Sequence, residues 1–458
     1  EAIVNHTRWM QDDFPLGISD AVLQKTPLGF DASVWEFWSP LCAGAHLVMA
    51  APGAHRDVLQ LVRAVQKHDI TTLQIVPSML RALLDDPGFS TCVTLKRVFC
   101  GGEALSGAAR DEFRRRFEGR ELVNLYGPTE ATIDTLFHAV PRSETGAAVP
   151  VGRPVANVRA EVMDARMQPV PVGVSGELYL GGVQLARGYH GRSDLTAERF
   201  VPDPRGNGER LYRTGDLARW RPDGAIDYVG RADFQVKVRG FRIELGEIEV
   251  AVLKTGWARE CVVTSREDVA GDKRLVAYLV SPDGQSRTPA ELRDSLKRSL
   301  PEYMVPSAFV WLDAMPLTTS GKTDRRALPA PDAGAGAASE FVAPRNDVEK
   351  KVAEILSAAL HVERVGMDDD FFALGGHSLL ATQVISRVRT VFKVEISLKD
   401  VFERPSAAGM AAAVTRARAQ GARKGPITEV TTRSRIATHL PRPAPSSIKP
   451  TVKKPEGT

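Results

Sequence analysis

The chain has 458 residues, 43% of them hydrophobic and 25% charged, with a formal net charge of +4. These proportions exclude a disordered or fibrous chain, and the length suggests about three domains of roughly 150 residues each. No apolar run approaches the ~18 residues of a membrane span, the opening EAIVNHTRWMQDDF lacks the apolar centre of a signal peptide, and the four cysteines (42, 92, 100 and 261) show neither metal nor disulfide spacing, so a reduced, cytoplasmic setting away from membranes is expected.

Up to about Asp233 the pattern alternates. LVRAVQKHD reads as helix, TTLQIV as strand, PSMLRALLDD as helix, KRVFC as strand, ARDEFRRRF as helix and ELVNLY as strand. This alternation predicts a parallel sheet covered by helices. From Ser175 strands dominate: GELYLGG, then a hairpin turning at Asp223-Gly224, then QVKVRGFRIEL as one strand with Lys237 and Arg239 on a common face. A helix near GEIEVAVLK, strands ECVVTSRE and RLVAYLV and the helix ELRDSLKRSL complete a small α+β unit ending near Leu328. ALPAPDAGAGAASE has the composition of a linker. NDVEKKVAEILSAAL, SLLATQVISRVRTVF, ISLKDVFERPS and AAGMAAAVTRARA then form a four-helix bundle. From Arg416 onward ten basic residues face two acids, a surplus of +8 that leaves the rest of the chain at −4. This tail has no aromatic residue for base stacking, so a solvated linker is expected rather than a nucleic-acid contact.

Four stretches carry chemistry. NLYGPTEATID (Asn124 to Asp134) ends a strand in an aromatic and a Gly-Pro turn, and open α/β sheets bind ligands beyond such strand ends. There Tyr126 is placed to stack on a base, Thr129 to bond a phosphate and Glu130 to hold Mg2+. YRTGDL sets Asp216 after a glycine turn, suited to accept two ribose hydroxyl protons; the bland alternative is an ordinary turn. SGKTDRR presents Lys322 on a turn, but no strand precedes it and the leading glycine of a phosphate loop is absent. LGGHSLL puts Ser378 on a glycine turn at the start of a helix, where a helix cap is the bland alternative.

Taken in order, FDASVWE, GGEAL, NLYGPTE, GELYLGG, YRTGDL, GRADFQVKVRG, LPEYMVP and SGKTDRR resemble the signatures of nonribosomal peptide synthetase adenylation domains, and LGGHSLL resembles that of a peptidyl carrier domain. The resemblance implies a multidomain chain. An α/β adenylate-forming core, present only in its C-terminal part, occupies 1–232, and a small mobile α+β subdomain 233–329. A linker at 330–342 leads to an all-α carrier bundle at 343–418 and a basic tail at 419–458. The implied reaction is activation of an amino acid by ATP and Mg2+ as the aminoacyl adenylate, then transfer to 4′-phosphopantetheine on Ser378. Lys322 is the implied catalytic cation and Asp233 the hinge, with Gly102, Glu103, Asn124, Tyr126, Gly127, Thr129, Asp216 and Arg231 at the nucleotide. Asp31 would pair with the substrate ammonium. Ala32, Trp35, Gln74, Phe99, Gly101, Leu125, Ile133 and Asp134 would surround its side chain. Gln74, a carboxamide among apolar residues, points to glutamine, then glutamate; an apolar substrate follows if Gln74 bonds only the backbone.

The implied partners are a phosphopantetheinyl transferase and neighbouring condensation or other synthetase domains; GARKGPITEV resembles the start of a linker to one. The family's glycine-rich phosphate loop lies upstream of a segment like AIVNH, so a fragment that exchanges pyrophosphate poorly is expected. Two alternatives are a fragment acting only as a carrier, and an acyl-CoA ligase-like enzyme. Asp31 argues against the second, since an acid without an amine leaves that charge unpaired.

Overall fold

The computed structural model describes residues 1–423 except 207, 234, 239, 270–271, 283, 285–287, 319–322, 332–340, 361, 373, 377, 395 and 397. The first part runs α1 (Ala2–Asp13), β1 (Ala21–Gln24), α2 (Ala32–Ala43), β2 (His46–Met49), α3 (Val58–Lys67), β3 (Thr72–Ile75), α4 (Pro77–Asp85), β4 (Arg97–Gly101), α5 (Gly107–Arg116), β5 (Glu121–Tyr126), β6 (Leu136–Ala139) and β7 (Arg153–Pro154). Its seven-stranded sheet has the order β2-β1-β3-β4-β5-β6-β7. The first five strands in that order are parallel, and β6 and β7 add antiparallel at the edge. The expected parallel sheet is there, and both faces are covered, as parallel sheets require. Leu23, Leu61, Val65, Leu73, Leu83, Val98 and Phe113 fill one core; Trp9, Phe14, Trp35, Phe99, Val123 and Leu125 fill another. Each such side chain contributes about 1.5–3 kcal/mol on burial.

A five-stranded antiparallel sheet follows from β8 (Val158–Met163), β9 (Gly176–Gly182), β10 (Phe200–Pro202), β11 (Arg210–Trp220) and β12 (Ile226–Arg231), with α6 (Ser193–Arg199) before β10. The Asp223-Gly224 hairpin forms, as a wider loop closed by Arg221 N–H donating to Ala225 O at 2.7 Å. The small unit holds β13 (Val236–Val238), β14 (Phe241–Ile243), α7 (Leu245–Lys254), β15 (Glu260–Val269), β16 (Asp272–Val280), α8 (Pro289–Leu296) and β17 (Ala308–Leu312). Here one expectation is corrected. QVKVRGFRIEL is two strands paired antiparallel, Val236 opposite Ile243 and Lys237 opposite Arg242. Gly240, at φ 81°, takes the left-handed backbone that reverses the chain; Arg239, expected to share a face with Lys237, lies outside the described residues. β17, which joins β16 in parallel, and α1 were not anticipated.

The last part is the four-helix bundle: α9 (Asp347–Leu360), α10 (Ser378–Phe392), α11 (Leu398–Glu403) and α12 (Ala407–Arg423), around Val352, Leu356, Phe371, Val384, Val388, Val401, Met410 and Val414. The tail beyond 423, read as a solvated linker, lies outside the described residues. No helix among the described residues is long and apolar enough to cross a membrane.

Candidate active site

The expected pocket residues converge at the C-terminal ends of β3, β4 and β5, where an open α/β sheet offers a crevice. Gln74 on β3 faces Phe99 on β4, and Gly101 at the end of β4 faces Leu125 on β5. Asp31 and Ala32 open α2, and Trp35, fully buried one turn later, meets Phe99 edge-on at 5.3 Å. After β5 the chain makes a 3-10 turn, Thr129–Ala131, then places Thr132 and Ile133 in the left-handed region at φ 59° and 66°. Such backbone costs of order 1–3 kcal/mol per residue and persists where surrounding packing imposes it. Gly127 is part of that packing: a Cβ there would sit 2.0 Å from Ile133 O and 2.7 Å from Asp134 Cα. The strained turn brings Ile133 and Asp134 to the pocket.

Polar interactions single out four of these side chains. Asp31 accepts the Thr129 hydroxyl at 2.7 Å. Burial raises its pKa above the ordinary carboxylate range; the Thr129 hydrogen bond opposes that shift and the Asp134 charge adds to it. Asp134 lies 3.1 Å from His6 Nε2, a residue the sequence did not single out. Gln74 Oε1 and Trp35 Nε1 are buried without a hydrogen-bond partner.

The nucleotide candidates group one strand further on. Tyr126 donates its hydroxyl to Asp216 at 2.5 Å, and Arg231 reaches the other Asp216 oxygen at 2.7 Å. Burial raises the Tyr126 pKa, with the Asp216 charge and hydrogen bond adding to it. Asn124 donates to Pro150 O at 2.7 Å, while its Oδ1 is buried without a partner. Glu103 accepts from the Ser78 backbone N–H at 2.9 Å and so caps α4; Gly102 adjoins it in the loop after β4. Thr129 serves Asp31 rather than standing free for a phosphate. Asp233 is clamped by Arg231 at 2.6 and 2.7 Å; burial alone would raise its pKa, but Arg231 outweighs it and the net shift is downward.

What the sequence missed is the role of the hairpin. The β13–β14 hairpin of the small unit enters this site. Lys237 lies over the Tyr126 ring at 5.1 Å, Phe241 meets Phe30 edge-on at 5.0 Å, and Arg242 pairs with Glu130 at 3.0 Å. Burial lowers the Lys237 pKa, partly opposed by Asp216. Glu130 also accepts the Tyr189 hydroxyl at 2.7 Å; burial would raise its pKa, but Arg242 and Tyr189 bring it below the usual value. Glu130 therefore has the chemistry of a Mg2+ ligand but is paired with Arg242 here, and no group of three or more His, Cys, Asp or Glu side chains among the described residues could hold a metal. Lys322 lies outside the described residues; its neighbour Thr323 bridges Leu317, and Arg325 pairs with Glu249 at 3.0 Å, tying the segment to the small unit.

In the helical bundle Ser378 is the first residue of α10. The turn before it admits only glycine at 376, because a Cβ there would fall 2.4 Å from the Phe371 ring. A backbone this close, at the positive end of a helix dipole, fits the phosphodiester of a pantetheine arm.

Three family models match: AMP-binding enzyme over residues 1–190, AMP-binding enzyme C-terminal domain over 247–322, and phosphopantetheine attachment site over 350–414. The chain is 50% identical to tyrocidine synthase 3 of Brevibacillus parabrevis, over 94% of its own length and 6% of that protein. It is 46% identical to enterobactin synthase component F of Escherichia coli K12, over 84% of its length and 31% of that protein. Among solved structures it resembles holo-PA1221, a nonribosomal peptide synthetase protein containing adenylation and carrier domains bound to a vinylsulfonamide inhibitor. The TM-score is 0.72 at 28% identity, over 86% of this chain and 65% of that one. The chain thus spans a small part of the curated synthetases it matches.

Proposed function

The chain belongs to the nonribosomal peptide synthetases, as an adenylation domain followed by a phosphopantetheine carrier domain, and from that premise we propose that it activates L-glutamine with ATP and loads it onto an arm at Ser378. Two features of the pocket support the substrate. Asp31 offers the carboxylate that an amino-acid ammonium requires. Gln74 Oε1 is an acceptor without a partner, and leaving such an atom unmet costs about 1–3 kcal/mol. A side-chain amide supplies the missing donor. Leucine leaves the acceptor empty. Glutamate brings a carboxylate that cannot donate and that faces the charge of Asp134.

The remaining assignments follow the same chemistry. Asn124 Oδ1, unpartnered, suits the exocyclic amine of adenine; Tyr126 supplies a stacking face and Asp216 the acceptors for ribose hydroxyls. Lys322 is the cation at the reacting carboxylate and α-phosphate, where a preorganised charge is worth most. Glu130 is available to Mg2+ only once Arg242 has left it. Asp233 is the hinge for that movement. The arrangement described, with the hairpin in the cleft and the small unit touching core and carrier together, supports its assignment to transfer rather than activation. When attached, the arm would supply a thiol able to take the aminoacyl group from the adenylate as a thioester, with AMP as the leaving group. Ser378 carries it, the α10 N-terminus holds its phosphodiester, and the small unit opens or closes the route.

The observation that carries this reading is the orphaned Gln74 acceptor, on the strand position that pairs with Phe99. It is tested by calorimetric titration of the chain with the sulfamoyladenosine mimics of glutaminyl, glutamyl, leucyl and phenylalanyl adenylate. The glutaminyl compound should bind tightest, since a site built to hydrogen-bond a polar group rejects analogues lacking it by up to ~10⁴. Tighter binding of the leucyl or phenylalanyl compound would refute it.

A further inference from the structure

A polar side chain outside the pocket lining bears on the selectivity of this site. His6 lies on α1, 128 residues from its partner, and is fully buried. Its Nε2 stands 3.1 Å from Asp134 Oδ2, its Nδ1 has no partner, and its ring meets Trp9 edge-on at 5.5 Å. A histidine is a poor choice for filling an apolar core, because one ring nitrogen is left unsatisfied and its burial opposes folding. What it gains in return is one hydrogen bond, to a pocket carboxylate. The backbone of that carboxylate is itself fixed, by two left-handed residues before it and by Gly127 against it.

We propose that His6 is a positioning residue for amino-acid selectivity. It donates Nε2–H to one oxygen of Asp134 and so holds the other oxygen as an acceptor for the substrate side chain. The inference rests on the glutamine reading and deepens it. A primary amide carries two N–H donors. The pocket then has two acceptors for them, Gln74 Oε1 and the free Asp134 oxygen. The same carboxylate, held in place, repels the side chain of glutamate. A rotating Asp134 would do neither well.

The test uses the same sulfamoyladenosine titrations on the full chain. His6→Met fills the space without a donor. It should lower the glutaminyl-to-glutamyl affinity ratio by about tenfold or more, the order expected when one polar contact of a selective site is lost, and should weaken the leucyl compound far less. His6→Gln, whose amide N–H lies at a similar reach, should restore most of the ratio. A merely structural role predicts equal weakening of all three compounds and no rescue, and that result, or an unchanged ratio in His6→Met, overturns the proposal. If His6→Met does not fold, His6→Asn serves: its donor falls short of Asp134, so a ratio as high as in His6→Gln would overturn the proposal equally. Failure of the underlying reading looks different. There the unsubstituted chain itself prefers the leucyl compound or binds none.

Discussion

Asp31 is partly buried within reach of the Asp134 charge, and its pKa is raised, chiefly by desolvation. The sign has consequences. A carboxyl group that binds its proton more tightly when folded adds stability at low pH and gives it up as pH rises through the folded pKa. Asp31→Asn should therefore melt no lower than the parent at pH 7 in a thermal scan, while binding of the glutaminyl compound falls about 10- to 100-fold with the loss of a charged hydrogen bond. In the parent, affinity should fall on acidification at a higher pH than an ordinary aspartate would give, because the protonated form no longer attracts the ammonium; in Asp31→Asn this slope should vanish. A lower melting temperature together with unchanged affinity would make Asp31 a structural residue. Asp31, Trp35 and Gln74 were legible because they stand at fixed offsets in short strings. His6 and Arg242 were not, since their partners Asp134 and Glu130 lie 128 and 112 residues away.

Among elements, the β13–β14 hairpin shows where pattern reading fails. Val-Lys-Val and Phe-Arg-Ile carry the same two-residue period, so alternation alone joins them into one strand, and only the glycine between them hints at the reversal. Gly240→Ala places a Cβ 2.6 Å from Val76 Cγ1 on a backbone at φ 81°. It should destabilise the docked hairpin by about 1–3 kcal/mol, read as faster hydrogen exchange at Lys237 and Arg242; exchange unchanged at both would show that the hairpin does not depend on this close approach. Helices α3, α4 and α5 and the parallel strands β3, β4 and β5 were legible because long periodic runs and short apolar runs separate cleanly, whereas β1, β2 and α2 went unread. β17 and α1 were missed because their apolar residues show neither period for long enough. The turn before α10 makes its own prediction. A phosphopantetheinyl transferase with coenzyme A should add one arm to the chain, seen in intact mass, and Ser378→Ala should abolish the gain. An arm on another serine would remove the carrier assignment.

For the whole molecule, the carrier bundle is seated on both parts of the activating unit. Thr382 donates to Arg56 O at 2.7 Å, Arg389 pairs with Asp57 at 3.2 Å, and Arg293 of the small unit donates to Phe372 O at 3.1 Å. None of this contact was legible, because it joins segments 79 to 332 residues apart through side chains that no motif marks. The Arg389–Asp57 pair is largely shielded from water, so its loss should matter more than that of an exposed pair. Arg389→Gln should reduce the seated population about tenfold, as expected for a charged hydrogen bond, and enlarge the radius of gyration in small-angle scattering; a profile identical to the parent's would mean the pair does not hold the carrier. The central claim, that this chain selects glutamine for the arm on Ser378, is tested most directly by supplying the activated acids themselves. The pantetheinylated chain is offered an equimolar mixture of glutaminyl, glutamyl, leucyl and phenylalanyl adenylates, and the aminoacyl group acquired is read from intact mass and mapped to its residue. A glutaminyl group on the Ser378 arm is the predicted result, and a leucyl or phenylalanyl group, or an indiscriminate mixture, would contradict it.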